Sequence, residues 1–369
     1  MMCYKNKLNS AYFKKLIFNF FFVIIALPLA AYSQQNTLYK NLALEGGGIR
    51  GIAYAGAFKV LEQRGMLQHI ENIAGSSAGA IAGLLLAIGF NASEIDSIMM
   101  HLPYQKFNDG RGGLLGKYIR VKRKYGVYKG DMFENWLELL LLQKMGNANL
   151  TFIELHQKKM ASAKYKDLFI TGTNVSKQRL EVFSYLNTPK FKIATAVRIS
   201  GGIPLYFTPI ALTNNLQKVT KGDTAKSINY YVDGGLLCNY PISMFDTCIT
   251  GENPLQCNQL IFNKYTLGIK LERPEQIEKF IKNDIDIPAF TINNVHDFVG
   301  AYANLQMEAT ARHYPKLQNE MGRSIYMSYG NISPRIKKMS FKNKRFLYNN
   351  GVIGAQQFLS TLDALKKLP

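Results

Sequence analysis

Short apolar runs alternate with longer segments of helical spacing along most of this chain. Asn41 to Leu44 and Ile70 to Ala74 predict buried strands, because brief apolar runs bounded by turn residues are typical of a parallel sheet. Ile52 to Gln63 has helical spacing that stops at Gly65. Ala78 to Ile88 is apolar on every side, so it predicts a central helix that is buried all round.

The same alternation continues toward the C-terminus. The further predicted elements are a helix that opens with a capping box at Asn91 to Glu94, an amphipathic helix over Asp131 to Met145, paired strands over Asp167 to Val175 and Arg179 to Tyr185, a short helix over Lys190 to Arg198, strands over Ile228 to Val232 and Tyr265 to Leu271, and a long helix over Asn293 to Tyr314. Strands that alternate with helices predict an α/β domain with a largely parallel sheet. No repeat or linker interrupts the pattern, so we predict one domain over 34–369, with a mainly helical part over 250–369.

The first 33 residues have a different pattern, which predicts a cleaved signal peptide. A basic start without acidic residues precedes an apolar run from Leu16 to Ala31, and small residues at Ala31 and Ser33 suit cleavage before Gln34. The run is 16 residues long, shorter than the ~20 residues of a spanning helix. An uncleaved membrane anchor is the alternative. We therefore expect export to the periplasm or release outside the cell.

The composition is that of a globular protein with excess positive charge. Hydrophobic residues make up 47%, charged residues 19%, and the formal net charge is +20. Nucleic acid, an anionic membrane or an acidic substrate would each suit this charge. Four cysteines exclude a disulfide scaffold, and no zinc-type spacing occurs, so no metal site is predicted. In an oxidising compartment we expect Cys248 and Cys257 to form a disulfide, with Cys238 a buried thiol; three reduced cysteines are the alternative.

The segment from Gly75 to Gly79 has the pattern G-x-S-x-G between a predicted strand and a predicted helix. This is the context of a nucleophile elbow, a sharp turn that would expose Ser77 at a helix N-terminus. Backbone N–H groups and the helix dipole there stabilise developing negative charge. Small residues also occur where strands simply pack on helices, so this motif alone does not establish catalysis.

A glycine-rich segment, Gly46 to Gly51, follows the first predicted strand and has two interpretations. The pattern G-x-G-x-x-G is a dinucleotide fingerprint, which expects an acidic residue about 20 positions on. Glu62 and Glu71 are both poorly placed for that role. Alternatively, successive glycine N–H groups form an oxyanion hole. A glycine loop followed by a nucleophile elbow on the next strand favours the oxyanion hole.

Asp233 lies at the end of a predicted strand, followed by Gly234 and Gly235. Asp-Gly is also a common hairpin turn. A serine nucleophile needs a base within hydrogen-bonding distance, but no histidine occupies a strand end with turn glycines; the five are His69, His101, His156, His296 and His313. A carboxylate acting as the base is the alternative. Its ordinary pKa of about 3.9 makes it a weak base unless burial raises that pKa.

The three motifs, in this order and spacing, resemble the patatin-like phospholipase family of the bacterial, secreted type. Ala196 to Pro209 and Asp233 to Pro241 resemble the family's segments before and around its catalytic Asp, and the resemblance covers about Leu42 to Phe245. It implies a three-layer α/β fold, in which helices flank a mainly parallel central sheet. It also implies hydrolysis of lipid acyl esters by a Ser-Asp dyad through an acyl-enzyme, without a cofactor or metal.

The resemblance assigns residues to these roles. Ser77 is the nucleophile and Asp233 the proton acceptor, while the oxyanion hole consists of Gly46, Gly47 and Gly48 with support from Arg50. The remaining motif positions are Gly51, Gly75, Ala78, Gly79, Gly234 and Gly235. A catalytically inactive lipid- or membrane-binding protein on the same fold is the alternative function.

Part of the charge is concentrated between Gly110 and Gly130, where basic and aromatic residues are mixed and no acidic residue occurs. The basic residues are Arg111, Lys117, Arg120, Lys122, Arg123, Lys124 and Lys129, and the aromatic ones are Tyr118, Tyr125 and Tyr128. Such a segment suits anionic lipid headgroups; a solvated, mobile loop is the alternative. Nucleic acid fits only the charge, so we predict a lipid substrate and a membrane surface as partners. The sequence predicts no oligomeric state.

Overall fold

A central sheet of eight strands organises the protein. The computed structural model describes residues 39–219, 227–257, 259–282, 289–293, 298, 301–302, 305, 322–334, 336 and 338–365. The predicted signal peptide and most of the long helix predicted over Asn293 to Tyr314 lie outside the described residues. Tyr39–Pro369 forms one compact unit.

The sheet is mainly parallel, as the sequence pattern predicts. Its strands and those of two small ribbons are β1 (Asn41–Leu44), β2 (Asn72–Gly75), β3 (Gly126–Tyr128), β4 (Asp167–Asn174), β5 (Arg179–Phe183), β6 (Leu205–Phe207), β7 (Ile210–Leu212), β8 (Asn229–Asp233), β9 (Thr247–Cys248), β10 (Leu260–Ile261), β11 (Thr266–Glu272) and β12 (Ser324–Ser328). The order is β12-β11-β1-β2-β4-β8-β7, with β5 paired to β4. The pairs from β12 through β4 are parallel, whereas β5, β8 and β7 join in antiparallel fashion. The carboxyl ends of β1 and β2 therefore lie side by side at one edge.

Helices pack around the sheet and cover it. They are α1 (Ala53–Gln63), α2 (Ala78–Ala87), α3 (Ala92–Met100), α4 (Gly113–Lys124), α5 (Asp131–Met145), α6 (Phe152–Ala161), α7 (Ile193–Ser200), α8 (Pro274–Ile281) and α9 (Phe341–Leu365). Helix α2 follows β2 directly and is buried along almost its whole length, which confirms the central buried helix. Helix α1 packs against α9. No helix in the described part of the chain is long and apolar enough to cross a membrane.

The structure adds to two expectations of local structure. The C-terminal part, predicted to be mainly helical, also contributes a strand, because β12 extends the sheet beside β11, where Ile325 and Met327 are fully buried. Its five residues are too few for an unambiguous strand pattern. The segment from Gly110 to Gly130 is not a loop, because α4 and β3 occupy most of it.

The predicted pairing of cysteines is present. Cys248 and Cys257 form a disulfide that links β9 to the loop before β10. Cys238 is buried and takes no part in a disulfide. Within the described residues, the only cluster of potential metal ligands contains these two bonded cysteines and Glu252. Bonded sulfurs offer no thiolates, so that cluster does not have the ligands of a metal site.

Candidate active site

Ser77 occupies a strained turn between β2 and α2. Its φ of 50° and ψ of −116° are unusual for a residue with a Cβ atom, and such conformations cost on the order of 1–3 kcal/mol. The turn is held from outside, because the N–H of Ser77 donates to Oγ of Ser200, 2.9 Å away on α7. The side chain remains 8% exposed. This is the geometry expected of a nucleophile elbow.

The two motif glycines allow this turn to pack tightly. A Cβ atom on Gly75 would lie 2.6 Å from the carbonyl oxygen of Gly79, and one on Gly79 would lie 2.3 Å from that of Leu44. Both distances are shorter than real contacts. The elbow therefore requires glycine on each side of Ser77, since the end of β1 passes directly beside the start of α2.

Asp233 ends β8 and points at the elbow. Its Oδ2 accepts a hydrogen bond from Oγ of Ser77 at 2.9 Å, and its Oδ1 accepts one from the N–H of Gly235 at 2.7 Å. The backbone is fixed too, because the N–H donates to the carbonyl of Gly202 and the Oγ1 of Thr173 donates to the carbonyl of Asp233. The two predicted residues, 156 positions apart in sequence, are thus in direct contact.

Burial changes the acidity of this carboxyl group. The pKa of Asp233 is raised to about 7, chiefly because burial removes water from the charged form. The hydrogen bonds from Gly235 and Ser77 lower the pKa and only partly offset that effect. A carboxylate with a pKa near neutral is a stronger base than one with the ordinary pKa of about 3.9. Burial therefore gives Asp233 the basicity that a carboxylate base needs.

The glycine-rich loop offers fewer hydrogen-bond donors than expected. The N–H of Gly46 donates to the carbonyl of Asn239 at 2.9 Å, so Gly46 is not an available oxyanion donor. Its role is steric, because a Cβ atom there would lie 2.3 Å from Oδ1 of Asn239 and 3.0 Å from Cβ of Ser77. The N–H groups of Gly47 and Gly48 have no hydrogen-bond partner among the described residues. Gly48 has a φ of +55° and lines the pocket beside Ser77.

Arg50 supports the loop from the far side. Its Nε donates to the carbonyl of Ile332 at 2.6 Å, and its guanidinium carbon lies 3.5 Å above the ring of Tyr329. The neighbouring Ile49 N–H donates to the carbonyl of Pro334. The guanidinium is therefore bound to the segment after β12, and these contacts hold the glycine-rich loop in place.

A buried acidic residue, Glu45, anchors the start of the same loop. Its Oε2 accepts a hydrogen bond from the N–H of Leu271 at 2.7 Å, and its carbonyl accepts one from the hydroxyl of Tyr54 at 2.5 Å. Asn239 approaches the carboxylate and donates to the carbonyl of Gly46 at 3.2 Å. Glu45 was not predicted as a site residue, although it is the one residue between the predicted strand and the glycines.

The remaining motif positions surround this centre. Gly51 and Ala78 contact each other and line the pocket, since a Cβ atom on Gly51 would lie 2.9 Å from Cβ of Ala78. Gly234 lies against Thr171 of β4, where a Cβ atom would meet Oγ1 at 2.2 Å. These positions shape the backbone around Ser77 and Asp233.

An apolar pocket opens beside Ser77. It encloses about 510 Å³ including its open mouth. Most of its lining is aliphatic or aromatic: Ile81, Met99, Leu102, Phe107, Phe133, Ile203 and Phe207. Such a lining suits a hydrocarbon chain better than a charged ligand.

The histidines that the structure describes have other contacts. His69 contacts Gln68, and His101 contacts the carbonyl of Ser97. His156 bonds to Asp167 and stacks on Tyr185. Two further histidines lie outside the described residues. Among the described side chains, Asp233 is the titratable group that contacts Ser77.

Comparison with known proteins agrees with the fold and the motifs. A family model described as patatin-like phospholipase matches residues 42–246, which is more than half of the chain. The protein therefore belongs to the patatin-like phospholipase family.

Individual relatives extend this similarity. An uncharacterized protein of Acanthamoeba polyphaga mimivirus is 28% identical over 86% of this chain and 93% of its own length. A probable lipid hydrolase of Invertebrate iridescent virus 6 is 27% identical over 58% of this chain and 66% of its own length. Among solved structures, VipD from Legionella pneumophila matches with a TM-score of 0.59 and 19% identity, over 88% of this chain and 67% of VipD. The predicted fold class is thus confirmed.

Proposed function

We propose that this protein hydrolyses acyl esters of lipids with Ser77 as nucleophile and Asp233 as proton acceptor. The hydrogen bond of 2.9 Å between the two side chains, at the mouth of an apolar pocket, carries the proposal. A serine in a strained turn with a base in contact is the arrangement of an activated nucleophile. Membership of the family and the probable lipid hydrolase among the relatives support lipid esters as substrates.

The reaction follows from these contacts. Asp233 accepts the proton of Ser77 while Oγ forms a bond to the ester carbonyl carbon. The carbonyl oxygen becomes an oxyanion and accepts hydrogen bonds from the N–H groups of Gly47 and Gly48, each worth roughly 3–4 kcal/mol of barrier. The intermediate then expels the alcohol, which takes the proton from Asp233. Water then attacks the acyl-enzyme and gives a proton to Asp233. When the bond between Oγ and the acyl carbon breaks, Oγ takes that proton back, so the carboxylic acid leaves and both Ser77 and the Asp233 carboxylate are regenerated.

Other features support a lipid substrate at a membrane outside the cytoplasm. The apolar lining accommodates an acyl chain, while the ester bond meets the polar atoms at the pocket mouth. The disulfide between Cys248 and Cys257 is typical of exported proteins. Together with the signal-peptide pattern, it favours export, and the positive charge favours anionic lipid headgroups. Phospholipase A or lysophospholipase activity fits these features.

Fluorophosphonate labelling tests the dyad directly. Wild-type protein should be labelled at Ser77, whereas Ser77→Ala and Asp233→Asn should lose ester turnover by a factor on the order of 10⁴ or more, because each removes a member of one catalytic unit. Far-UV circular dichroism should remain unchanged. Turnover retained by either purified variant would refute the dyad. Lipid binding by a wild-type protein that is neither labelled nor active would favour the inactive lipid-binding alternative.

A further inference from the structure

Helix α4 has an inverted distribution of polar and apolar side chains. The side turned toward the protein contains Lys117 and Arg120, whose guanidinium donates to the carbonyls of Val127 and Arg111 at 2.8 and 2.6 Å. The Lys117 ammonium lies 5.3 Å over the ring of Tyr128. No residue of α4 is buried. A surface helix normally turns its apolar side to the core, so α4 lacks a partner for that side within the described structure.

The large apolar side chains of α4 face solvent instead. Leu114 is 85% exposed, Leu115 70% and Tyr118 65%, and Ile119 and Val121 are exposed as well. Leu205 on β6 is exposed as well, and it pairs in register with Gly126 on β3, the strand that follows α4. Several large apolar side chains exposed together in this way indicate an interaction site.

The charges on the same helix indicate what covers it. The last turn consists of Lys122, Arg123 and Lys124, and none of them forms an ion pair with a described residue. The stretch from Gly110 to Gly130 has no acidic residue. Apolar side chains bordered by cations complement a surface that is hydrocarbon inside and negative outside, which is an anionic lipid bilayer.

Helix α4 also connects two walls of the pocket. The chain that leads into it supplies Leu102 and Phe107 to the lining. The chain that follows forms β3, which pairs with β6, and Phe207 of β6 lines the pocket as well. A bilayer bound to α4 would therefore lie next to the segments that receive an acyl chain.

We propose that α4, with Leu205, is an interfacial helix that docks the protein on anionic bilayers; this inference rests on the proposed lipid ester hydrolysis for its biological purpose. Leu114, Leu115, Tyr118 and Ile119 insert among the acyl chains. Lys122, Arg123 and Lys124 contact the phosphates. The protein thus uses one surface for docking and a separate buried site for chemistry.

The apolar contribution is tested in the Ser77→Ala background, so that the lipid stays intact. Sedimentation with vesicles of phosphatidylglycerol and phosphatidylcholine measures the partition coefficient. Leu114→Ser combined with Leu115→Ser and Ile119→Ser should lower it tenfold or more, because buried hydrocarbon contact is lost. The matched control, Leu139→Ser with Leu142→Ser, removes exposed leucines from α5 and should change it less than twofold.

The charge contribution is tested with a second matched pair. Lys122→Gln with Lys124→Gln should weaken binding to anionic vesicles by about 25-fold at low salt, roughly fivefold for each charge near the surface. Lys338→Gln with Lys342→Gln makes the same change in net charge at exposed positions elsewhere and should have a much smaller effect. Vesicles of phosphatidylcholine alone should not distinguish the two pairs.

Activity on a soluble short-chain ester separates docking from chemistry. With Ser77 restored, the α4 variants should hydrolyse p-nitrophenyl butyrate at the wild-type rate but lose activity on vesicles, because α4 side chains do not line the pocket. Vesicle binding equal to that of the controls would overturn the docking proposal. A dimer in sedimentation equilibrium that the α4 variants dissociate, without vesicle binding, would instead assign the surface to a second copy. Short-ester turnover retained by Ser77→Ala would refute the dyad and leave the docking result standing.

Discussion

The elbow around Ser77 and helix α4 differ in how tightly their residues are packed. At the elbow the backbone is tightly held: Ser77 has a positive φ, its N–H is bonded to Ser200, and Gly79 has no room for a methyl group. At α4 the largest side chains touch mainly solvent. Tight packing preorganises polar atoms for a reaction, whereas loose packing leaves an apolar surface available for a partner. Substitutions should therefore have different consequences in the two regions.

The largest expected difference between the elbow and α4 is in stability, and Gly79→Ala should show it by lowering the free energy of unfolding. Its methyl group would lie 2.3 Å from the carbonyl oxygen of Leu44, so the backbone must shift at a cost of about 3 kcal/mol or more. Leu114→Ser should stay within about 0.5 kcal/mol of the wild type, as is usual for exposed positions. Urea denaturation measures both free energies of unfolding. Gly322→Ala is the control, because its methyl group meets no atom within 4 Å. Equal stability of the Gly79 and Gly322 variants would contradict the packing argument.

Changes of pH should alter ester turnover, which depends on the elbow, but not vesicle binding, which depends on α4. The pKa of Asp233 in the folded protein is about 7 because of burial, and in the proposed mechanism Asp233 accepts a proton only when it is deprotonated. Turnover of a soluble ester should rise with pH, with a midpoint near 7, and fall about tenfold per unit below it. Helix α4 has no Asp, Glu or His, so vesicle binding should remain flat over the same range. A flat activity profile between pH 5 and 8 would count against Asp233 as the base.

The same raised pKa predicts the sign of the effect on stability. An unfolded Asp has a pKa near 3.9, so between pH 4 and 7 the folded protein holds a proton that the unfolded chain has released. This contribution to stability is complete below about pH 4 and is lost as pH rises through about 7. Asp233→Asn should therefore be more stable than the wild type at pH 8, with little difference at pH 4. If thermal unfolding at pH 8 instead showed Asp233→Asn to be less stable than the wild type, the carboxylate would not be desolvated.

The contrast between the two regions also explains what sequence alone could predict. Ser77 and Asp233 were predictable because strained turns need particular residues at fixed spacing, and their motifs occur at strand ends. The direction of Arg50 and the loss of the Gly46 donor were not, because both depend on partners more than 190 residues away. The composition of the stretch from Gly110 to Gly130 predicts membrane contact, and this remains a prediction. The helical form and inverted orientation of α4 required coordinates, because periodicity does not tell which side of a helix faces the protein.

Ser200 offers the smallest and most specific test of the elbow. Its buried Oγ accepts the hydrogen bond from the N–H of Ser77, and Ser200 does not line the pocket, so in the proposed mechanism it acts by positioning Ser77. Ser200→Ala should leave that N–H unsatisfied and lower kcat for a soluble ester about tenfold, equivalent to roughly 1.4 kcal/mol, with little change in KM. The rate of fluorophosphonate labelling at Ser77 should fall in proportion.

Thr195→Ala is the matched control for this change. Thr195 lies on the same helix and is equally buried, but its hydroxyl donates to Glu134, away from Ser77. Both variants should lose similar stability, since each removes one buried hydrogen bond. Only Ser200→Ala should slow labelling, because only the Ser200 hydroxyl is bonded to the backbone N–H of Ser77. If both variants slowed labelling equally, the effect would be a general loss of rigidity in α7, and Ser200 would have no special part in positioning Ser77.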